Sequence, residues 1–171
     1  MTSILIDHGW HAFYLLLQWI DSDPVRVSAD VSRPGPGMLE DEVDVRVEFE
    51  NGAEGRIMLT WRAEARRNTV AVDGNAGSIR IDGEELAIVV HDRPTRTESA
   101  EALSAGSHHT EWFRGLLPDF AAAIAQPARR AEALREAGWC LALTRAVYEL
   151  ERSGPSSREV ELPASLRGPI C

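Results

Sequence analysis

The feature that most constrains the fold is a change in the spacing of apolar residues along the chain. Between residues 25 and 90, apolar and polar side chains alternate in short runs separated by Gly-containing turns. This period of two is typical of strands with one buried face, and tight turns between such strands favour antiparallel pairing. The predicted strands are 25–31, 43–49, 56–61, 68–72, 77–81 and 85–90.

Helical spacing replaces the alternation on both sides of this region. Residues 8–20 carry an apolar stripe that begins at Trp10, and Asp7 is the expected N-cap. Residues 111–126 and 127–154 show the same spacing. The order of elements therefore predicts an α+β fold, in which an open, mostly antiparallel sheet has helices packed on one face.

The 171 residues are expected to form a single domain, 1–171. The polar segment 92–110 is predicted to be a flexible surface loop. Residues 155–171 are predicted to form a C-terminal strand, at 158–162, and a tail.

Composition argues against several classes of function. The net charge is −9 and no basic cluster is longer than two residues, which argues against nucleic acid and anionic membranes as partners. All 18 basic residues are Arg, so Schiff-base or P-loop lysine chemistry is excluded for these residues. Two cysteines do not form a disulfide framework, and we expect a cytoplasmic location. No glycine-rich dinucleotide fingerprint occurs, so we expect no nicotinamide cofactor to be bound by this chain.

Three ionisable side chains, Asp7, His8 and His11, crowd the start of the first predicted helix. A histidine can take the proton of a substrate hydroxyl, and a carboxylate one helical turn away can orient it. The alternative is that Asp7 only caps the helix and His11 only packs. His8 and His11 could hold a metal together with Asp7, or with His108 or His109, but no stronger ligand motif supports this, and no metal is predicted.

Aromatic residues supply a second set of candidates. Trp10 flanks His11 and Trp61 ends a predicted strand, so either ring could stack on a sugar. Trp139 lies in the apolar stripe of the last helix and is predicted to belong to the core. Cys140, beside it, is predicted to be an inert buried thiol.

Four stretches in this order resemble the C-terminal domain of the glucose–fructose oxidoreductase / inositol dehydrogenase (Gfo/Idh/MocA) family. They are SILIDHGWHAFYLL, EDEVDVRVEFENGAEGRIMLTW, VAVDGNAGSIRID and EWFRGLLPDFAAAI. The resemblance implies a dihydrodipicolinate-reductase-like C-terminal fold. The family's catalytic Asp and His lie four residues apart, which matches Asp7 and His11, and His8, Trp10 and Trp61 then become candidate substrate-binding residues.

The resemblance implies the substrate-binding and oligomerisation part of an NAD(P)-dependent oxidoreductase acting on a sugar, inositol or polyol. The nucleotide would come with a Rossmann-domain partner chain, and the open sheet face would form a homodimer or larger assembly. One alternative is a nicotinamide-independent epimerase or lyase, with or without a metal, that uses His11 and Asp7. A second is a non-catalytic dimerising binding domain.

Overall fold

The computed structural model describes residues 2–83, 85–91, 93–99, 110–154 and 159–164, with only the backbone described at 95–99 and 110–112. The chain divides into two compact units, whereas the sequence predicts a single domain. The first unit comprises Met1–Arg62 with Phe120–Cys171, and the second comprises Ala63–Asp119.

The first unit contains one antiparallel sheet with strand order β3-β2-β1-β8. Val45 lies opposite both Ala29 and Ile57, so alternate residues of the three longer strands share a face. The Asn51-Gly52 hairpin is confirmed, because Gly52 has a φ of 82° and the Ala53 N–H bonds to Asn51 Oδ1 at 2.9 Å. The strands are β1 (Pro24–Ser32), β2 (Glu42–Phe49), β3 (Glu54–Thr60) and β8 (Val160–Glu161).

One face of this sheet packs against helices and forms the hydrophobic core. A π-helical segment (Leu5–Gly9) leads into α1 (Trp10–Trp19), and α3 (Pro127–Ser153) lies on the same sheet. The alternation of β2 predicts this face correctly, and Trp139 is buried as expected. The buried apolar residues are Ile4, Leu5, Phe13, Val27, Val43, Val45, Val47, Phe49, Trp139, Cys140, Leu143, Ala146, Val147, Leu150 and Leu162.

The opposite face of the sheet is charged. Arg26 bonds to Glu48 at 3.0 Å, and Arg56 forms a two-pronged pair with Asp44 at 2.6 and 2.9 Å. Met58, which is 61% exposed, shares this face. Charged side chains flank Met58 on this face.

The second unit contains a four-stranded antiparallel meander in the order β4-β5-β6-β7. The prediction that residues 68–72 join the sheet of 43–49 and 56–61 is therefore wrong. None of the described side chains of this unit is fully buried. The strands are β4 (Thr69–Gly74), β5 (Gly77–Asp82), β6 (Glu85–Val90) and β7 (Arg93–Ser99).

One further segment differs from expectation. β7 lies inside 92–110, where the sequence predicts a flexible loop; residues 100–109 lie outside the described part of the chain. α2 (Thr110–Ala125) continues through Pro118. α3 ends as predicted, with Gly154 at its C-cap. Across the described residues, no helix has the length and apolar character needed to cross a bilayer.

Candidate functional site

The candidate site is built on the first turn of the helical segment. Ser3 Oγ accepts a hydrogen bond from the Ile6 N–H at 3.0 Å, and the Ser3 carbonyl accepts one from the Asp7 N–H at 3.1 Å. The prediction that Asp7 caps the helix is wrong, because Asp7 lies inside the π-helical segment and Ser3 precedes it. Short π-helical segments are rare and are frequent at functional sites.

One glycine lets α1 approach β3 closely. A Cβ at Gly55 would lie 2.5–3.0 Å from three side-chain atoms of Leu16. A Cβ at Gly9 would lie 2.7 Å from Leu5 Cδ1, within the helical segment itself. The position of α1 above the sheet therefore depends on the absence of a side chain at Gly55.

Asp7 and His11 both lie on the exposed side of the segment. Asp7 Oδ2 accepts a hydrogen bond from Thr2 Oγ1 at 3.2 Å. Both residues are described, and no hydrogen bond or ion pair joins them. The structure thus leaves the imidazole of His11 open to a ligand from outside, while the carboxylate of Asp7 is occupied by Thr2.

His8 lies on the other side of the segment, against Trp61. Their ring centroids are 4.9 Å apart and the ring planes meet at 60°. The Trp61 backbone N–H donates to the Asp41 carbonyl at 2.7 Å, which ties this ring to the chain just before β2. Two of the predicted substrate-binding residues, His8 and Trp61, are therefore neighbours.

The helical spacing predicts that Trp10 joins the buried stripe. In the structure Trp10 is instead 40% exposed. Leu16 takes the inward position against β3 instead. Tyr14, one helical turn after Trp10, is also exposed. His11 lies between them in the sequence and is exposed as well. Exposed aromatic rings can bury the apolar side of a sugar.

Sequence reasoning did not single out Glu40, which is 1% exposed and lies between β1 and β2. Its Oε1 accepts hydrogen bonds from Ser3 Oγ and, at 2.8 Å, from the Tyr148 hydroxyl. Burial alone would raise the pKa of this carboxyl, but hydrogen bonds from Ser3, the backbone and Tyr148 outweigh it, and the pKa is lowered. Glu40 Oε2 has no hydrogen-bond partner among the described residues, and Arg33 Nη1 lies 3.9 Å away.

Asp41, the next residue, is also buried and forms an ion pair with Arg62. Arg62 binds its two oxygens at 2.7 and 2.9 Å, and these hydrogen bonds hold the pKa of the Asp41 carboxyl below its usual range. The only sequence signal for either residue is the acidic run Glu40–Glu42 directly before a strand. Such a run is more typical of a solvated loop than of a buried network.

The described residues contain no cluster of three His, Cys, Asp or Glu side chains suited to a metal. His108 and His109, the other histidines considered as ligands, lie outside the described residues. Cys140 is buried, and burial raises the pKa of its thiol to about 11, as an inert thiol requires. Two concave regions of the first unit, one beside Arg46 on the charged sheet face and one beside Trp139, do not include Asp7, His8 or His11.

Residues 2–80 match the GFO/IDH/MocA C-terminal domain family. No curated protein matches the chain.

The whole fold resembles one half of several solved oxidoreductases. An oxidoreductase from Agrobacterium radiobacter, in complex with NAD⁺, L-tartaric acid and magnesium, superposes with a TM-score of 0.71 at 20% identity, covering 92% of this chain and 48% of that one. Levoglucosan dehydrogenase with NADH gives 0.69 at 22% identity, covering 92% and 49%. The same enzyme with NADH and levoglucosan gives 0.66 at 23% identity, again covering 92% and 49%. The chain therefore spans about half the length of the structures it resembles.

Proposed function

We propose that this chain, whose residues 2–80 match the GFO/IDH/MocA C-terminal domain family, is the substrate-binding and assembly part of an NAD(P)-dependent oxidoreductase. The proposed substrate class is a sugar, inositol or related polyol. The family match carries the proposal. The exposed rings of Trp10 and Tyr14 support the substrate class, since aromatic rings bury the apolar side of a sugar ring.

In this proposal His11 is the catalytic base. Its exposed imidazole would take the proton of a substrate hydroxyl as that carbon is oxidised, a role for which imidazole is suited near neutral pH. Asp7, one helical turn away, would stabilise the resulting imidazolium at a distance. Trp10 would contact the ring of the substrate, and His8 and Trp61 are the other proposed substrate-binding residues.

We assign the nucleotide to a partner chain that carries a Rossmann domain. All strand pairs of the described residues are antiparallel, whereas a dinucleotide-binding unit needs parallel strands joined by a crossover helix. The absence of such a unit from the described residues supports assigning the nucleotide to a partner.

The proposal includes self-association through an open sheet face. In the second unit, β4, β5 and β6 align large apolar side chains on one side, and none of these side chains is fully buried. A face of this kind is usually covered in an assembly. A second copy is the proposed cover, and the aligned residues are Val70, Val72, Ile79, Ile81, Leu86 and Ile88.

Reconstitution tests the proposal. The chain is mixed with a separately purified Rossmann domain of the same family, and polyol-dependent reduction of NAD⁺ or NADP⁺ is followed by absorbance. We expect turnover only with both chains present, and His11→Asn should reduce it about 10²- to 10⁴-fold without lowering the melting temperature. His91→Asn is the matched control, since His91 is an exposed histidine of the second unit. Full turnover by His11→Asn would reject His11 as the base.

A further inference from the structure

The buried acidic pair Glu40 and Asp41 connects the two sides of the His8–Trp61 contact. The Glu40 carbonyl accepts the Ile4 N–H at 3.3 Å, at the start of the helical segment. The Asp41 carbonyl accepts the Trp61 N–H at 2.7 Å, at the end of β3. Consecutive residues thus hold the backbone on both sides of this ring pair.

The Glu40 side chain adds a second set of hydrogen bonds at the start of the helical segment. Its Oε1 binds the hydroxyls of Ser3 and Tyr148, and those two hydroxyl oxygens lie 3.0 Å apart. With its proton directed to Glu40, Ser3 Oγ is oriented to accept the Ile6 N–H, as it does at 3.0 Å. The carboxylate therefore orients the hydroxyl that fixes the turn from which Asp7 and His8 project.

A carboxylate is better suited to this task than a neutral side chain. It can only accept, so it offers acceptor lone pairs to both hydroxyls and no donor that competes with them. Hydrogen bonds to an ionised acceptor are also stronger than those between neutral groups. Arg33, held by Glu151 at 2.6 and 2.7 Å, places a positive charge 3.9 Å from the other carboxylate oxygen.

We propose that Glu40 is a positioning residue for the candidate site: through Ser3 it fixes the first turn of the helical segment and so sets the contact between His8 and Trp61. This rests on the proposed function only in assigning His8 and Trp61 to a substrate site. The geometry itself can be measured on the chain alone.

The test is an NMR measurement of the His8 ring. The ring-current shift is the difference in the chemical shift of the His8 Cε1–H proton between the wild-type chain and Trp61→Leu. The His8 signal is assigned by its disappearance in His8→Gln. We expect Ser3→Ala and Glu40→Leu to lose more than half of this shift. Glu40→Gln should retain it, because an amide oxygen can still accept from both hydroxyls.

Amide exchange supplies a second reading that does not depend on the rings. Ser3→Ala and Glu40→Leu should speed exchange of the Ile6 N–H relative to amides of β2. Glu48→Leu, an exposed glutamate changed on the outer sheet face, is the matched control and should alter neither reading.

Retention of the His8 shift in a folded Ser3→Ala or Glu40→Leu chain would overturn the positioning role. If Glu40→Leu does not fold, Ser3→Ala decides, since it removes only one hydroxyl. Neither measurement uses a substrate, so this failure would leave the proposed function standing. Conversely, full turnover by His11→Asn would reject the proposed base without affecting the role of Glu40.

Discussion

The contact between Gly55 and Leu16 allows a quantitative prediction about how α1 is held. A Cβ at Gly55 would lie 2.5 and 2.7 Å from the two methyl carbons of Leu16 and 3.0 Å from its Cγ. Because the Cγ is included, rotating the methyl groups alone does not relieve the clash. Gly55→Ala therefore requires the Leu16 side chain to leave its present rotamer or α1 to move away from β3.

The cost follows from two opposing effects. An added methyl group in a packed interior costs about 1–3 kcal/mol, while Ala in place of Gly stiffens the unfolded chain and returns about 0.4–1 kcal/mol. The central values of the two effects, about 2 and about 0.7 kcal/mol, give an expected net loss of about 1.3 kcal/mol. For a chain of this size that corresponds to a fall in melting temperature of about 3–5 °C.

Thermal and urea unfolding of four chains provide the measurement: wild type, Gly55→Ala, Leu16→Ala and the double variant. If the clash is the cause, Leu16→Ala should relieve it, and the double variant should be more stable than the sum of the single changes by about 0.5–3 kcal/mol. Gly115→Ala is the control, because a Cβ there would meet no atom within 4 Å. An unchanged or raised melting temperature for Gly55→Ala, or strict additivity, would refute the reasoning.

Four further outcomes are expected. Gly77→Ala should disrupt the β4–β5 hairpin, seen as faster amide exchange in the second unit, because its Cβ would lie 1.9 Å from a backbone oxygen of β6. Cys140 should resist thiol reagents near neutral pH in the folded chain and react after unfolding, measured on labelled peptides by mass spectrometry, because burial raises its pKa to about 11. The pKa of Asp41 is lower in the folded chain than its unfolded value of about 3.9. The ionised Asp41 therefore stabilises the fold above about pH 3.9, and this stability is lost as the pH falls through the folded pKa. Arg62→Ala should thus flatten the fall of the urea midpoint on the acid side. Ile79→Arg should lower the mass measured by light scattering, if the apolar face of the second unit joins two copies.

Each of these has a contrary result. Unchanged exchange in Gly77→Ala would mean that the hairpin tolerates the clash. Rapid labelling of Cys140 in the folded chain would contradict its burial. An acid profile of Arg62→Ala parallel to that of the wild type would remove Asp41 as a cause of the fall. A wild-type monomer at micromolar concentration would count against self-association before any variant is made.

The sequence predicts best where a local pattern has a single physical reading. Alternation at Val43, Val45 and Val47 predicts a strand with one buried face, and these residues are in the core. Asn51-Gly52 predicts a tight turn because few other pairs adopt its backbone angles. Alternation does not say which sheet a strand joins, however, and the β4 strand is therefore assigned to the wrong sheet.

The failures concern features set by distant partners. β7 carries charged and hydroxyl side chains at many positions, so no apolar alternation marks it, and its pairing with β6 defines it instead. Glu40 is separated by 37 residues from Ser3 and by 108 from Tyr148, which no local pattern could bring together. Trp10 begins the helical stripe, where a single residue cannot fix the phase of a period of 3.6, and Leu16 takes the inward position.

The exposure of His11 constrains how the proposed reaction could proceed. A general base in an oxidoreductase works best when water is excluded from the reacting groups, yet His11 and Trp10 remain exposed in the described part of the chain. A Rossmann partner that covers the outward face of α1 would bring the nucleotide and exclude water in one contact. Turnover and protection of Trp10 from a soluble fluorescence quencher, taken as the difference from Trp10→Phe, should then rise together as the partner is titrated. Turnover that saturates while the quenching of Trp10 stays constant would place the reaction elsewhere on the chain.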